Sequence, residues 1–267
     1  MKKLLFILMA FALVASACTK TDDDDNNGGG DDGGSSSLKP TAAQKGFAIN
    51  YTATWCGHCG DWGAPLIHTY ATDAPKGVAI CAHSGDPMSN SLYASFKADR
   101  TTGGGIPSFW VGDKKTTNKS AMVNLIATGN AVAGVDYTYS VSGGVMTVKT
   151  SVKFFSTGTG DYYLSVLVLE DGIDGSSSAG QYKQSGTGNS YPNDDYHHDF
   201  VLRASSINGN AYGEKIASSP AKDKVINKEY KISVDASWKN PYAVALIWKR
   251  KPGETPEYSF INSLKKK

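Results

Sequence analysis

The sequence predicts an α/β unit over residues 38–134 followed by an all-β unit over residues 135–267, the latter a β-sandwich of the immunoglobulin-like kind. Three observations lead there. Up to Gly134, short apolar runs alternate with stretches of helical periodicity, the pattern of an α/β fold. Beyond Gly134 the helical signal stops, and short alternating strands separated by Gly, Asn, Ser and Pro take over. Six or more strands at that spacing suggest a sandwich.

The leader comes first in the chain. Lys2 and Lys3, an apolar run from Leu4 to Val14 and the small residues Ala15, Ser16 and Ala17 form the three parts of an export signal, residues 1–17. The run is shorter than the roughly 20 apolar residues that span a bilayer, and no later stretch approaches that length. Cys18 stands where a bacterial lipoprotein signal has its lipid-attachment cysteine. Ala15 occupies the position usually held there by Leu, and Ala15-Ser16-Ala17 also suits an ordinary signal peptidase. Lipid anchoring at Cys18 is the expectation, and soluble secretion is the alternative.

Residues 18–37 hold Asp22 to Asp25, Asp31, Asp32, five Gly and three Ser, with no large apolar side chain. Such a segment cannot bury enough surface to order itself, so it is read as a tether with a spread of about 25 Å. Its acidic run resembles the surface-export signal of Bacteroidetes lipoproteins; a solubilising spacer is the plainer reading. The expected location is the cell envelope, as an outer-membrane lipoprotein held by its lipid anchor, surface-exposed if the acidic run is such a signal.

Charge excludes one class of partner. Losing Lys2 and Lys3 takes the formal +2 to zero, and residues 18–37 hold one Lys and six Asp, so residues 38–267 carry +5. A body that mildly basic, with a single run at Lys265 to Lys267, does not point to nucleic acid.

In the α/β unit, Phe47 to Thr52 reads as a strand, followed by a helix with Trp62, Leu66, Ile67 and Tyr70 on one face, weakened by Gly60, Gly63 and Pro65. Val78 to Ala82 is a second strand. Ser89 to Arg100 reads as a helix with Leu92, Tyr93 and Phe96 inward, Ser108 to Val111 as a third strand, and Lys119 to Ala133 as a closing helix. In the β unit, Tyr137 to Val141 and Val145 to Val152 flank Ser142-Gly143-Gly144, a compact hairpin signal. Further strands are expected at Tyr162 to Leu169, Phe200 to Leu202, Tyr230 to Val234, Ala243 to Trp248 and Tyr258 to Ile261.

The chemistry concentrates at Cys56-Gly57-His58-Cys59. With Cys18 set aside, the folded body has three cysteines, a poor disulfide framework, so these cysteines look chemical rather than structural. A pair separated by two residues brings both sulfurs within reach when the first caps a helix, whose terminal amides stabilise the Cys56 thiolate. Cys56 is then the nucleophile toward a partner disulfide and Cys59 the resolving thiol. Positive charge on His58 would favour the reduced form and make the pair more oxidising.

Trp55 precedes the motif, and Gly105-Ile106-Pro107 precedes the third strand. With these neighbours the sequence resembles the thioredoxin superfamily, where Trp-Cys-Gly-x-Cys sits at a strand-to-helix turn and a cis-proline packs against the disulfide. Gly57-His58 matches the protein disulfide isomerases in particular. The resemblance implies a thioredoxin-like fold over residues 38–134, a cis peptide before Pro107, and pairing of the Ile106 backbone with an incoming substrate strand. Two positions depart from it. Asn50 stands six residues before Cys56, where those proteins keep a buried acid, and Pro65 lies six residues after Cys59 rather than five.

A wider resemblance is to the Bacteroidetes outer-membrane lipoproteins related to the twenty-eight-kilodalton outer membrane protein. It is carried by Trp55 to Cys59, by His83-Ser84-Gly85-Asp86-Pro87-Met88 and by His198-Asp199-Phe200-Val201-Leu202-Arg203. It implies a lipoprotein signal, a tether, a thioredoxin-like domain and a C-terminal β-domain.

Other chemistries find less support, and no metal or other cofactor is expected. Cys56, Cys59, Cys81 and His83 could make a Cys₃His zinc site, but alternate residues of one strand lie about 6–7 Å apart, so Cys81 is better read as a small buried side chain. Gly60 after Cys59 excludes haem attachment, which needs His. Asp194, Asp195, His197, His198 and Asp199 are dense enough for a divalent metal, yet read better as a turn entering a strand. Hydrolase and phosphate-loop motifs do not occur. Two functions remain: an envelope thiol-disulfide oxidoreductase acting on a protein partner, or a cell-surface binding or adhesion module on a scaffold whose disulfide does not turn over.

Overall fold

Every residue of β1 (Phe47–Thr52) is buried, so both faces of the strand are covered and its sequence is a near-continuous apolar run. In the computed structural model, which describes residues 38–267 apart from 75, 119, 122, 123 and 125–128, β1 lies between β2 (Val78–His83), parallel to it, and β3 (Ser108–Val111), antiparallel to it. The export signal, Cys18, the tether and seven of the fifteen residues of the expected helix over Lys119–Ala133 fall outside the described residues.

Helix α1 (Ala64–Asp73) follows β1, and α2 (Ser91–Asp99) follows β2. Asn90 sets the start of α2, its Oδ1 accepting the Leu92 amide at 3.0 Å. β4 (Lys114–Lys115) pairs with β3 at the edge. The rest of the chain is almost all strand: β5 (Ala133–Ser142), β6 (Val145–Phe154), β7 (Asp161–Glu170), β8 (Ile173–Asp174), β9 (His197–His198), β10 (Val201–Ser205), β11 (Glu214–Ser218), β12 (Val225–Ser233), β13 (Pro241–Arg250) and β14 (Tyr258–Lys265). The closing helix was expected to reach Ala133. Instead Gly129 has φ 98°, Asn130 bridges to Ala43, and β5 already starts at Ala133.

The strands form a long mixed sheet in the order β14-β13-β7-β10-β2-β1-β3-β4, with β11 also pairing with β7. A three-stranded sheet, β12-β6-β5, and the short pair β8-β9 complete the set. One sheet therefore runs through residues on both sides of Gly134. The link is narrow: Val201 of β10 lies opposite Cys81 of β2, and the Cys81 amide donates to the Phe200 carbonyl at 2.8 Å.

The period of two along β7 and β13 supplies two cores. Tyr162, Leu164, Val166 and Val168, with Ala243, Ala245 and Ile247, face the three-stranded sheet through Val135, Tyr137, Val148 and Phe154. Leu167, Leu169, Val244, Leu246 and Trp248 face the other way, onto Phe47, Ile49 and Tyr51 of β1 and onto Leu92 and Phe96 of α2. A smaller core under α1 holds Ala48, Ile67, Tyr70, Cys81 and Phe109.

Arg100 is embedded in the larger of the seams between the halves. It is 0 % exposed and donates to Asp99 at 2.6 Å, Asp113 at 2.8 Å, the Tyr212 hydroxyl at 3.0 Å and the carbonyls of Tyr258 and Gly112 at 2.6 and 3.3 Å. Its guanidinium lies 4.9 Å from the Trp248 ring centre. Both the charge and every donor direction of the buried guanidinium are thereby met.

Candidate functional site: the Cys56–Cys59 turn

The turn from β1 into the first helix places Cys56 and Cys59 in a disulfide with Cα atoms 5.2 Å apart. Cys56 keeps 7 % exposure and Cys59 1 %. The Cys59 amide donates toward Cys56 Sγ at 3.2 Å, the helix-end donor that would support a thiolate there. Trp55 is 59 % exposed beside the sulfurs, its indole N–H donating to the Ser84 carbonyl at 3.0 Å. The Ile106–Pro107 peptide is cis, and the Ile106 carbonyl oxygen lies 3.6 Å from Cys56 Sγ. His58, Trp62, Ile106, Pro107, Lys115 and Thr117 line an open groove of about 580 Å³ in front of the turn. His58, Ile106 and Pro107 thus share the groove, Ile106 reaches from it to the Cys56–Cys59 pair, and Trp55 stands exposed next to Cys56.

The displaced proline has a local remedy. Residues Cys59–Gly63 form a π turn, in which the Ala64 amide reaches back five residues to the Cys59 carbonyl. A π turn holds one residue more than the α-helical path, so it takes up the extra residue between Cys59 and Pro65. Pro65 has no N–H for the Asp61 carbonyl, and the Ser190 hydroxyl donates to that oxygen instead, at 2.5 Å. The extra residue also turns Trp62 away from the Ile67 and Tyr70 face. Trp62 is 39 % exposed and stacks on Phe109 at 6.1 Å, where a place on the buried face was expected.

The two glycines that weaken this helix are required by close approach. A Cβ on Gly60 would sit 2.1 Å from the Ser185 carbonyl oxygen, and one on Gly63 would sit 2.9 Å from Pro107 Cβ. Helix propensity is given up so that a distant loop and the proline can both reach the turn.

That loop belongs to the connection between β7 and β10, on the far side of Gly134. The Gln184 Nε2 is surrounded by carbonyl oxygens at 3.1–3.2 Å: Ala53, Thr54, Cys56 and its neighbour Ser185. The Ser185 amide donates to the Thr54 carbonyl at 2.8 Å, and Asn189 Nδ2 donates to Asp61 Oδ1 at 3.2 Å. Gln184 is 2 % exposed, and its Oε1 is buried with no partner.

The two further stretches that carry the wider resemblance meet beneath the turn. His83 Nδ1 and Asp86 Oδ2 are 2.7 Å apart with both side chains about 1 % exposed, and the same Oδ2 accepts the Thr54 amide at 2.9 Å. The His198 ring packs edge-on against His83 at 5.4 Å, with Nε2 2.8 Å from the Tyr182 carbonyl. Burial, reinforced by the proximity of His83, pushes the His198 imidazole down to about 4. For Asp86 burial acts upward, but the His83 contact and the Thr54 and Met88 amides outweigh it and hold the carboxyl below its ordinary value.

Asn50 is 1 % exposed with its Oδ1 unpartnered, opposite Cys81 in the sheet. Burial pushes the Cys81 thiol upward, as do Asp199 and Asp171, against a hydrogen bond from Asn50. Cys81 sits in the core under α1, and His83 is turned to Asp86, so the residues of the conceivable zinc set are engaged separately. In the acidic cluster, Asp194 receives the Ser177 amide, His197 is exposed and His198 is buried.

No family model and no curated protein matches the chain. Its fold is similar to that of HBP35 of Porphyromonas gingivalis. The likeness has a TM-score of 0.65 at 18 % identity and covers 84 % of this chain and 75 % of that one. At that identity it is a likeness of fold. Among the described residues no helix is long and apolar enough to cross a membrane.

Gln184, Ser185, Asn189 and Ser190 escape sequence reasoning because they lie in a polar Gly- and Ser-rich stretch that reads as a linker. One signal points to them: the sequence predicts no element between Leu169 and Phe200, a gap well beyond the roughly 12–15 residues above which structureless connections are uncommon in a folded unit.

Proposed function

We propose that the protein is an envelope thiol-disulfide oxidoreductase, with a thioredoxin-like unit over residues 38–134 carrying the chemistry and a β-sandwich unit behind it helping to hold the protein partner. The observation that carries this reading is the placement of the Cys56–Cys59 disulfide at a strand-to-helix turn, with the Ile106 carbonyl 3.6 Å from Cys56 Sγ beside an open groove.

In the reducing direction the Cys56 thiolate attacks one sulfur of a partner disulfide. A Cys56–partner bond forms and the partner's second sulfur leaves as a thiolate. The Cys59 thiolate then attacks Cys56 Sγ, re-forming the internal disulfide and expelling the partner's first sulfur. The partner gains two electrons and this protein loses two; oxidation of a partner is the reverse. Trp55, Ile106 and Pro107 border the opening through which the partner enters, and His58 lines the groove beside it.

Trapping tests this directly. Cys59→Ser should accumulate mixed disulfides with partner proteins while Cys56→Ser accumulates none, and an absence of adducts from both would count against the reading. The buried amide of Asn50 favours the alternative of a surface binding module, since it cannot take a proton from Cys59. Asn50→Asp separates the two: it should speed resolution of the mixed disulfide by Cys59 if turnover is real.

Residues 1–37 supply the proposed address, an outer-membrane lipoprotein acylated at Cys18. A fatty-acid label should mark the wild type and fail on Cys18→Ala; an unlabelled wild type would return the segment to ordinary secretion.

A further inference from the structure

The carbonyl oxygens of Ala53, Thr54 and Cys56 converge just ahead of the helix that carries the cysteines, and a single group, the Gln184 side-chain amide, faces them all. The Cys56 carbonyl already accepts the Cys59 and Gly60 amides at 3.1 and 3.3 Å. The orientation of the Gln184 amide follows from its surroundings, because carbonyls only accept and the –NH₂ is the donor end. With the Ser185 carbonyl, four negative dipole ends share two N–H groups, at a residue that is 2 % exposed.

The backbone on either side of Gln184 is locked to the same turn. Ser185 donates its amide to Thr54 and its carbonyl fills the space left by Gly60, while Gly186 packs against the Gly57 carbonyl. Further along, Ser190 and Asn189 hold Asp61. Residues 184–190 thus form a strap over one side of the disulfide turn, leaving the side of Trp55, Ile106 and Pro107 open.

We propose that Gln184, carried by the strap from the far half of the chain, is a positioning residue of the redox site that holds the Cys56 turn and screens its converging carbonyls from the sulfur. The inference rests on the dithiol reading above. Without the Gln184 amide each carbonyl keeps only its backbone donors, the Cys56 amide on Ala53, the Ser185 amide on Thr54 and the Cys59 and Gly60 amides on Cys56, so the carbonyl dipoles are less fully compensated next to Cys56. They then oppose negative charge on the sulfur, while the disulfide, which carries none, is unaffected by that charge effect. Losing the amide therefore disfavours the thiolate and shifts the pair toward the oxidised form. The other charged or titratable groups around the turn are His58, Asp61, the His83–Asp86 pair beneath Thr54, and Lys115 across the groove, and the substitution leaves all of them in place.

The test uses the full-length reduced protein as wild type, Gln184→Met and Gln184→Asn. Met keeps the side-chain length and loses the donors; Asn keeps the donors and loses the reach, so a folded variant is available if Met disrupts packing. Two quantities are read: the pH midpoint of Cys56 alkylation, and the reduced-to-oxidised ratio at a fixed glutathione poise. The midpoint should rise by roughly half a pH unit, the scale of a helix-end dipole interaction, and the ratio should fall roughly threefold, with far-UV circular dichroism unchanged. Folded variants with the wild-type midpoint and ratio would overturn the inference while leaving the dithiol reading intact. A wild type whose Cys56 is no more reactive than Cys59 would overturn that reading and the inference with it.

Discussion

The two halves of the chain meet along two seams of opposite chemistry. At the first, Arg100 is enclosed by Phe47, Tyr212 and Trp248, and its charge is balanced by Asp99 and Asp113. At the second, beneath and beside the disulfide, the contacts are polar: the Gln184 and Ser185 amides on the turn, Asn189 on Asp61, and the His198 ring against His83, each ring held by a hydrogen bond within its own half. An apolar seam with a paired buried charge resists separation, whereas hydrogen bonds individually contribute only about 1 kcal/mol net. The difference teaches that the halves are fixed to each other away from the sulfurs and tuned against each other next to them. Substitutions at the first seam should alter stability without altering thiol chemistry, whereas at the second the thiol chemistry should respond to Gln184 and the acid dependence of stability to the His83, Asp86 and His198 cluster.

The largest effect should come from Arg100→Met. Removing one partner from a buried charge network costs about 3–5 kcal/mol, here taking the guanidinium donor from Asp99 Oδ2 and the Tyr212 hydroxyl. Urea unfolding should show the loss, while the folded variant keeps the wild-type ratio of Cys56 to Cys59 alkylation. A changed ratio would merge the two seams into one.

Acid should act first at the polar seam. His198 falls from an ordinary 6.5 to about 4 in the folded protein, so the unfolded chain binds its proton first as pH drops. Its contribution is fully present above pH 6.5 and is lost between there and about 4, to a total on the order of 3 kcal/mol. His198→Gln should flatten the stability profile in that window. Asp86, held below its ordinary 3.8, contributes above that value and loses its contribution as pH falls through its lower folded value. Asp86→Asn should flatten only that lower window, and should cost about 1–3 kcal/mol at neutral pH because Thr54 or His83 loses its acceptor. A profile unchanged by both substitutions would show that the seam does not sense acid.

Much of the architecture is legible because apolar periodicity marks it. The central strands at Phe47, Val78 and Ser108 declare themselves as buried runs, and the spacing of Leu92 and Phe96 announces α2. The hairpin around Gly143-Gly144 follows from its turn chemistry, with Ser142 opposite Val145. β11 is not legible, because Glu214 to Ser218 is polar and gains its place by pairing with β7 rather than from its own pattern. Trp62 misleads, since helical spacing assumes a regular helix and the π turn rotates it outward. The cysteine motif is legible from its spacing, and Trp55 and Pro107 through the resemblance that the motif and its neighbours carry. Gln184 is not, because a glutamine in a Gly- and Ser-rich loop acquires meaning only when folding brings it against carbonyls more than a hundred residues away.

The smallest effect tests the far end of the strap. Asn189→Ala removes one exposed hydrogen bond to Asp61 and should change stability by less than about 0.5 kcal/mol. A loss several times larger would mean that the strap belongs to the stabilising seam.

The central claim is that the Cys56–Cys59 disulfide exchanges rather than merely staples. It is tested most directly by the reduction potential of the pair, measured by equilibration with glutathione. The helix-end amide on Cys56 Sγ favours the Cys56 thiolate, so the potential should lie above about −270 mV. A value below about −300 mV, the range of inert structural disulfides, would contradict the account.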